Sequence, residues 1–485
     1  MTRGERGAAA AILLLAAALR IGLAWTDQGV YWPDEIYQSL EQAHRLVFGY
    51  GIVPWEFAEG ARSWLFPALF AALWFAMDLA GAVDAATFVI AAKLLMVAIS
   101  VAGIYAAMRI AAHFGGAPAA LLAGLLLLAF PPLLLLGARA LSEVASATLV
   151  TFAVLLALRA GSRDLALAGV LAALACFLRF QNGLIAIGLA ALVLAQGRWS
   201  GLRPFLLGTT LTALLGGLLD WATWGSPFHS LRAYLQYNLI DGQAAKYGEE
   251  GATYYARVAW TSTGPVLLAI LAGWALALRR AAGVFAVCAL YVAAHVAVAH
   301  KEYRFLLPVV PVLVALAAAG LALAFARGGH YARLLPVVGI LFAAALARHA
   351  QQLTFDQLGQ YRGQPAAAYS PWSFNDGVNR LLWEVGRLDD ACGVWLGGVR
   401  PAWTGGFSYL HRDIPLVWGD EPHLLLHANY FLSPPVDLPM PVAPWVDEVE
   451  VPPSYHPAMR AGGWTLHRRD GGCVAPTHDD RRFHG

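Results

Sequence analysis

The sequence predicts an all-α protein that crosses a membrane many times and carries a water-facing C-terminal domain. Of its 485 residues, 59% are hydrophobic and only 13% are charged, whereas about a quarter of the residues in an average soluble domain are charged. Apolar stretches long enough to cross a bilayer, roughly 17–25 residues each, recur from position 8 to position 347. The 138 residues from Arg348 onwards hold 26 of the 64 charged residues. We therefore predict a transmembrane domain over residues 1–347 and a soluble domain over residues 348–485.

Charge balance and motifs exclude several classes of function. The net charge is +2, so the chain lacks the strongly basic character of a nucleic-acid-binding protein. It contains no Walker loop, GxSxG elbow, HExxH helix or dinucleotide fingerprint, and this argues against soluble nucleotide chemistry. We expect no nucleic acid among its partners.

The first apolar stretch, residues 8–24, is interpreted as a retained helix. A secretory signal would end in a small-residue cleavage site, but the chain continues into the aromatic and acidic run Trp25–Trp32. Arginine-rich breaks between the later stretches mark cytoplasmic loops by the positive-inside rule. These breaks contain Arg109, Arg159, Arg163, Arg198, Arg203, Arg279, Arg280, Arg327 and Arg333.

The positions of these breaks predict the topology. With a cytoplasmic N-terminus, residues 26–85 form the first outer loop and residues 221–258 form the second. Crossing at both 64–80 and 86–108 would place Arg109 on the wrong side of the membrane. Because segment 64–80 is rich in aromatic residues, we predict that it lies at the membrane interface instead. About eleven spanning helices result, and the C-terminal domain falls on the outer side.

A pair of carboxylates follows a proline in the first outer loop. Pro33 suits the first position of a helix, and Asp34 and Glu35 suit its positive N-terminal end. A carboxylate at the membrane edge can accept a proton from an alcohol nucleophile. Asp34 is therefore a candidate general base, although the same position would also serve simply to cap the helix.

The second outer loop combines aromatic and amide side chains, with Tyr237, Asn238 and Tyr247 as candidate binding residues. Aromatic faces with a few polar groups suit a carbohydrate or a lipid headgroup. Interfacial aromatic belts have the same composition without a binding role. Both interpretations of this loop remain open.

A compact third outer loop, residues 300–304, places two fixed positive charges and a histidine between spanning helices. Such a cluster can bind a phosphate-sized anion; a surface ion pair between Lys301 and Glu302 is the alternative. Two arginines at neighbouring outer turns could extend this site. The candidates for it are Arg139, Arg179, His300, Lys301, Glu302 and Arg304.

The four cysteines fall into two pairs. Cys176 and Cys288 lie in apolar stretches and are interpreted as small apolar residues. Cys392 and Cys473 lie in the domain placed on the outer, oxidising side, where a disulfide and two free thiols are both possible. The histidines are scattered and no zinc-ligand spacing occurs, so we predict no metal site.

At these motifs the sequence resembles glycosyltransferase family 22, a family of membrane mannosyltransferases that acts in GPI-anchor and N-glycan precursor assembly. The similarity runs in order over roughly residues 15–315. Its motifs are Trp32-Pro-Asp-Glu-Ile-Tyr-Gln38, Arg62-Ser63, Asp220, Trp224-Gly225, Tyr237-Asn238, Tyr247-Gly248 and His300-Lys-Glu-Tyr-Arg-Phe305.

The resemblance implies a GT-C fold with its active site on the outer or lumenal face. It implies a polyprenyl- or dolichyl-phosphate mannose as donor, a glycolipid or glycan as acceptor, inversion at the anomeric carbon, and no cofactor. On this basis we assign Asp34 as the general base and Glu35 as its support or a ligand of sugar hydroxyls. Lys301 and Arg304, with Arg139 or Arg179 as additions, would stabilise the departing phosphate.

Other functions remain open at this point. The same fold could use a different lipid-phosphate sugar, and a glycolipid transporter or flippase would also combine many spans with buried charges. The basic residues are 30 arginines and three lysines, which suggests a GC-rich genome and hence a bacterial plasma membrane. A eukaryotic protein of this kind would lie in the ER membrane.

Overall fold

The computed structural model describes residues 2–159, 161–419, 422–435, 449–474 and 482–483. Helices dominate up to residue 351, and most strands lie beyond it. The helices are α1 (Arg3–Thr26), α2 (Glu41–Phe48), α3 (Trp55–Ala58), α4 (Leu65–Leu79), α5 (Ala85–Leu128), α6 (Pro131–Leu136), α7 (Ser142–Arg159), α8 (Ser162–Leu178), α9 (Gly183–Ala195), α10 (Trp199–Trp224), α11 (His229–Leu235), α12 (Tyr254–Thr263), α13 (Val266–Ala297), α14 (Val310–Arg327), α15 (Leu335–Gln351), α16 (Asp376–Gly386) and α17 (Gly406–Leu410). The strands are β1 (Val53–Pro54), β2 (Val394–Leu396), β3 (Leu416–Trp418), β4 (Tyr430–Ser433), β5 (His456–Ala461), β6 (Trp464–Arg468) and β7 (Arg482–Phe483).

Seven helices of the described chain are long and apolar enough to cross a membrane. They are α1, α5, α7, α10, α13, α14 and the segment Tyr331–Gln351 that contains α15. The apolar helices α4 and α9 are shorter. The polytopic helical fold is thus confirmed, whereas the count of eleven spans and the interfacial position of α4 remain predictions.

Two of these helices are broken inside the apolar region. At 1.5 Å per residue, the 44 residues of α5 would extend about 66 Å, roughly twice the thickness of the hydrocarbon core. The break occurs at Gly116, where φ is 74°, just before Pro118. Helix α13 is interrupted at Ala281, directly after Arg279 and Arg280. The break in α13 therefore coincides with one of the basic cytoplasmic loops predicted from the sequence.

Glycines allow the helices of the bundle to pack backbone to backbone. A Cβ on Gly320 of α14 would lie 1.9 Å from the carbonyl oxygen of Gly273 in α13. A Cβ on Gly208 of α10 would lie 2.1 Å from the carbonyl oxygen of Ala166 in α8. Small residues at such contacts are typical of membrane helices, whose association depends on close packing.

The C-terminal domain contains a five-stranded sheet in the order β3-β2-β4-β6-β5. Strand β2 runs parallel to β3 and β4, while β6 runs antiparallel to β4 and β5. A disulfide joins Cys392 to Cys473 across the domain, which confirms one of the two possibilities for this pair. The all-α prediction therefore describes the transmembrane domain, and the sheet is an addition to it.

Part of the first outer loop is docked against the C-terminal domain. The buried carboxylate of Glu41 accepts hydrogen bonds from the backbone amides of Phe407 and Ser408, at 3.2 and 2.9 Å. His44 bonds to His411 at 2.9 Å between ring nitrogens. The loop and the domain thus lie at the same end of the helix bundle, as the predicted topology requires. The boundary predicted at residue 347 falls inside α15, which continues to Gln351.

Candidate active site

The candidate general base lies on a turn between α1 and a short π-helical segment. Pro33 starts this turn by accepting the amide hydrogen bonds of Ile36 and Tyr37 with its carbonyl oxygen. Residues Ile36–Leu40 then form the π-helical segment, a conformation that often occurs at functional sites. The turn holds Asp34 with 21% of its side chain exposed.

Arg304 connects the first and third outer loops through three carboxylates. Its guanidinium lies 2.8 Å from Asp34, 2.6 Å from Glu302 and 3.0 Å from Glu143. Although its burial favours the neutral form, these carboxylates raise the pKa of Arg304 well above its usual value. Burial would raise the pKa of Glu302, but Arg304 and His300 lower it to about 2. Both groups are therefore charged at neutral pH.

A second arginine completes this charge cluster. Arg179 pairs with Glu143 at 3.0 Å, and its guanidinium lies 5.0 Å from the ring centre of Phe305. Glu143 is almost fully buried, with 1% of its side chain exposed. Of the three carboxylates around Arg304, Glu143 is buried most completely, and Asp34 is the most exposed.

Glu35 and Arg139 belong to a separate buried cluster. Arg139 pairs with Glu35 at 2.9 Å and with Asp27 at 2.7 Å. Its guanidinium also lies 3.4 Å from the ring centre of Tyr31, whose backbone amide donates to Glu35 at 2.6 Å. These contacts hold the first outer loop in shape. They do not favour the predicted roles of Glu35 in sugar binding and of Arg139 in phosphate binding.

The side chain of Lys301 is also hydrogen-bonded within the protein. Its ammonium donates to the carbonyl oxygens of Glu250, Val298 and Ala299. His300 bridges Glu302, at 3.1 Å, and the carbonyl oxygen of Gly248, at 2.9 Å. Both side chains hold the second and third outer loops together. The predicted contact of Lys301 with a phosphate gains no support from this position.

Aromatic residues of the second outer loop cover the first. Tyr237 stacks on Trp55 with ring centres 4.1 Å apart, and its hydroxyl lies 3.1 Å from that of Tyr247. The side-chain amide of Asn238 donates to the carbonyl oxygen of Tyr234 in the preceding helical turn. The two tyrosines are thus near the site, whereas Asn238 is bonded locally.

An open cleft lies beside Asp34, with about 400 Å³ of empty space when the solvent at its mouth is included. Its lining combines two carboxylates of the charge cluster, Asp34 and Glu143, with polar residues of the first outer loop and apolar residues of α8 and its C-terminal turn. The lining residues are Asp34, Gln38, Arg62, Ser63, Phe66, Leu141, Ser142, Glu143, Phe177, Leu178 and Phe180. Among the predicted site residues, only Asp34 is part of this lining.

Arg62 and Glu56 are site residues that the sequence reasoning did not select. Glu56 accepts a hydrogen bond from Gln38 at 2.7 Å. Burial and the nearby Asp34 raise the pKa of Glu56 to about 7, while Arg62 opposes this rise. Their positions could have indicated a role at the site, because both residues lie in the same outer loop as Asp34 and Arg62 is part of a family 22 motif.

In the described ranges, no three His, Cys, Asp or Glu side chains are grouped in a way that would hold a metal ion. Independence from a metal or cofactor remains a prediction.

The comparison with known proteins agrees with the motifs. A model of the Alg9-like mannosyltransferase family matches residues 11–368. The chain belongs to this family. The matched segment contains every predicted site residue and ends before the five-stranded sheet of the C-terminal domain.

Two relatives of this chain are GPI mannosyltransferases. GPI mannosyltransferase 3 of Yarrowia lipolytica is 31% identical over 320 residues, or 62% of this chain and 60% of the relative. GPI mannosyltransferase 3 of Drosophila melanogaster is 28% identical over 311 residues, or 62% of this chain and 54% of the relative. The chain therefore spans between half and two thirds of these relatives.

Solved structures share the fold of this family member. ArnT from Cupriavidus metallidurans bound to undecaprenyl phosphate matches with a TM-score of 0.60 and 13% identity, over 96% of this chain and 99% of ArnT. The oligosaccharyltransferase of Archaeoglobus fulgidus matches with a TM-score of 0.51 and 13% identity, over 90% of this chain and 69% of the enzyme. Both are GT-C enzymes, and the fold predicted from the resemblance is confirmed.

Proposed function

We propose that the protein transfers mannose from a polyprenyl-phosphate donor to a hydroxyl of a glycolipid or another envelope glycoconjugate. Membership of a mannosyltransferase family supports the reaction type and favours a transferase over a flippase. The solved structure of ArnT with undecaprenyl phosphate supports a lipid phosphate as the donor's carrier. A different lipid-phosphate sugar is the alternative for the donor.

The position of Asp34 is the observation that carries this proposal. Its carboxylate lines the cleft, and Arg304 binds only its Oδ2 atom. This contact with Arg304 keeps the carboxylate oriented. Oδ1 has no hydrogen bond within the described part of the chain and can face an acceptor hydroxyl.

The proposed reaction is a direct displacement at the anomeric carbon. The acceptor oxygen forms a bond to that carbon as its proton moves to Asp34. The bond between the anomeric carbon and the phosphate oxygen breaks, and the lipid phosphate leaves with the electron pair. Attack from the face opposite the phosphate inverts the anomeric configuration.

We place the site on the outer side of a bacterial plasma membrane, or on the lumenal side of the ER if the protein is eukaryotic. The disulfide between Cys392 and Cys473 supports this side, because disulfides persist in oxidising compartments. Since the C-terminal domain contacts the first outer loop, the site and the disulfide share one side.

The test is mannose transfer by Asp34→Asn protein. We expect turnover of radiolabelled polyprenyl-phosphate mannose, with lipid extract from the source cells as acceptor, to fall at least about 100-fold, in line with the loss of a general base. Glu59→Gln, an exposed carboxylate in the same loop, serves as the control and should retain activity. Near-normal turnover by correctly inserted Asp34→Asn protein would disprove the assignment, and lack of donor consumption by the unmodified protein would disprove the function.

A further inference from the structure

The cations of the site differ in whether they already have a partner. Arg139, Arg179 and Arg304 pair with buried carboxylates, and Lys301 is bonded to backbone carbonyl oxygens. The charges of the three arginines are thus already balanced by carboxylates, and the ammonium of Lys301 is already surrounded by acceptors. The group that binds the donor's phosphate must therefore be sought elsewhere in the cleft.

Arg62 differs from these residues. Within the described ranges its guanidinium forms no ion pair and no hydrogen bond; it lies 5.7 Å from the ring centre of Tyr234 and acts on Glu56 only through its charge. Its position is nevertheless defined, because the indole N–H of Trp224 donates to the backbone oxygen of Arg62 at 3.1 Å. Arg62 is thus a partly buried cation, anchored through its backbone, on the wall of the cleft that contains Asp34.

The charge of the surrounding cluster makes such a cation necessary for anion binding. Asp34, Glu143 and Glu302 contribute three negative charges, and Arg179 and Arg304 contribute two positive charges. These five groups carry one net negative charge when His300 is neutral, which opposes a phosphate. Protonation of His300, whose pKa Glu302 raises against the effect of burial, only cancels that charge. A guanidinium is suited to offset this repulsion because it binds phosphate through two parallel hydrogen bonds.

We propose that Arg62 binds the phosphate of the lipid-linked donor in the cleft that it shares with Asp34. The inference rests on the proposed function and assigns the phosphate contact to a residue outside the His300–Arg304 motif. Arg62 and Asp34 then lie on one cleft with different tasks: Arg62 binds the leaving phosphate, where negative charge grows in the transition state, and Asp34 accepts the acceptor's proton.

The proposal can be tested by lipid binding, without turnover. Undecaprenyl phosphate and its neutral counterpart undecaprenol are titrated against protein in nanodiscs. For Arg62→Gln we expect the affinity for undecaprenyl phosphate to fall about tenfold or more, as for the loss of a charge-assisted contact, and the affinity for undecaprenol to stay unchanged. Arg62→Lys keeps the charge but not the paired hydrogen bonds, and should lose less affinity.

Arg232→Gln is the matched control, since Arg232 is an exposed arginine of the second outer loop that bonds to Ser226. It should bind like the unmodified protein. Unchanged affinity of correctly folded Arg62→Gln for undecaprenyl phosphate would overturn the proposal. An equal loss of affinity for dioleoyl phosphatidic acid would overturn the donor assignment, because the site would then accept any lipid phosphate.

The two proposals can fail separately. If the unmodified protein never consumes polyprenyl-phosphate mannose while Arg62→Gln loses affinity for undecaprenyl phosphate, the proposed function fails and the phosphate site stands. If transfer occurs normally and Arg62→Gln changes neither lipid affinity nor the KM for the donor, the function stands and the role of Arg62 is refuted.

Discussion

Asp34 lies between an arginine that pairs with it and a second carboxylate, Glu56. Arg304 donates to Asp34 at 2.8 Å, whereas Asp34 and Glu56 are close enough for the pKa of Glu56 to rise. Burial contributes most to that rise, which brings the pKa to about 7. Glu56 therefore changes its charge in the physiological range, next to the cleft in which an anionic donor would bind.

We predict that donor binding weakens as Glu56 ionises. Between pH 6 and pH 8 Glu56 gains a negative charge, so the KM for polyprenyl-phosphate mannose should rise several-fold as the pH increases. In Glu56→Gln protein the charge is absent at every pH, and the KM should change less over this range. Steady-state kinetics at a series of pH values measure both slopes.

His300, whose pKa is raised by Glu302, titrates in both proteins. The difference between the pH dependence of KM in the unmodified protein and in Glu56→Gln therefore reports on Glu56 alone. Equal slopes would contradict the prediction. The stability of the fold should also decrease as the pH rises, because the pKa of Glu56 in the folded protein lies above the ordinary value of 4.5. Ionisation therefore costs folding free energy as the pH rises from about 4.5 to about 7.

The sequence motifs indicated which loops meet at the candidate site but not the orientation of each side chain in it. The motifs correctly bring Asp34 and Arg304 to one place, in direct contact. Glu35 follows Asp34 immediately, and in a helical turn consecutive side chains point about 100° apart, so Glu35 faces Arg139 instead of the cleft. Which cation pairs with which carboxylate depends on tertiary packing. The structure was therefore needed to show that the guanidinium of Arg62 has no ion pair or hydrogen bond in the described part of the chain.

At the scale of helices and strands, hydropathy predicted the transmembrane helices but not the sheet of the C-terminal domain. Long apolar stretches correctly indicated the transmembrane helices, and the arginine pair 279–280 indicated the break in α13. The strands of the C-terminal domain are only three to six residues long in its five-stranded sheet. Strands this short, such as the fully buried Val394–Leu396, show no alternating pattern, and the sequence therefore gave no signal for the sheet.

The contact between α13 and α14 predicts a severe effect of Gly320→Ala. The new Cβ would lie 1.9 Å from the carbonyl oxygen of Gly273, and because that atom belongs to a helix backbone the two helices must separate. We expect the free energy of unfolding to fall by about 2 kcal/mol or more, as for overpacking of a core. Thermal unfolding of the protein in detergent or nanodiscs measures the change.

Gly22→Ala is the matched control for this substitution. Gly22 also lies within a membrane helix, α1, but a Cβ there would meet no atom within 4 Å. Because alanine favours the helix more than glycine does, Gly22→Ala should leave stability unchanged or raise it slightly. Equal melting temperatures for both variants would show that α13 and α14 are not packed as closely as described.

At the scale of the whole molecule, one orientation in the membrane satisfies both the charge pattern and the position of the site. The first outer loop, the third outer loop and the C-terminal domain contact one another at one end of the bundle. Arginine-rich breaks such as that at 279–280 belong to the opposite, cytoplasmic side by the positive-inside rule. The disulfide favours the same orientation, because disulfides persist mainly in oxidising compartments.

We therefore predict that a membrane-impermeant maleimide distinguishes two introduced cysteines. Gln364→Cys lies at an exposed position of the C-terminal domain and should react in intact cells. Ser200→Cys lies at an exposed position in a predicted cytoplasmic break and should react only after the membrane is opened. The native thiols add little background, since Cys288 is buried and Cys176 is partly buried. The reverse pattern would place the cleft in the cytoplasm, and with it the proposed base Asp34, where a donor presented at the outer face could not reach it.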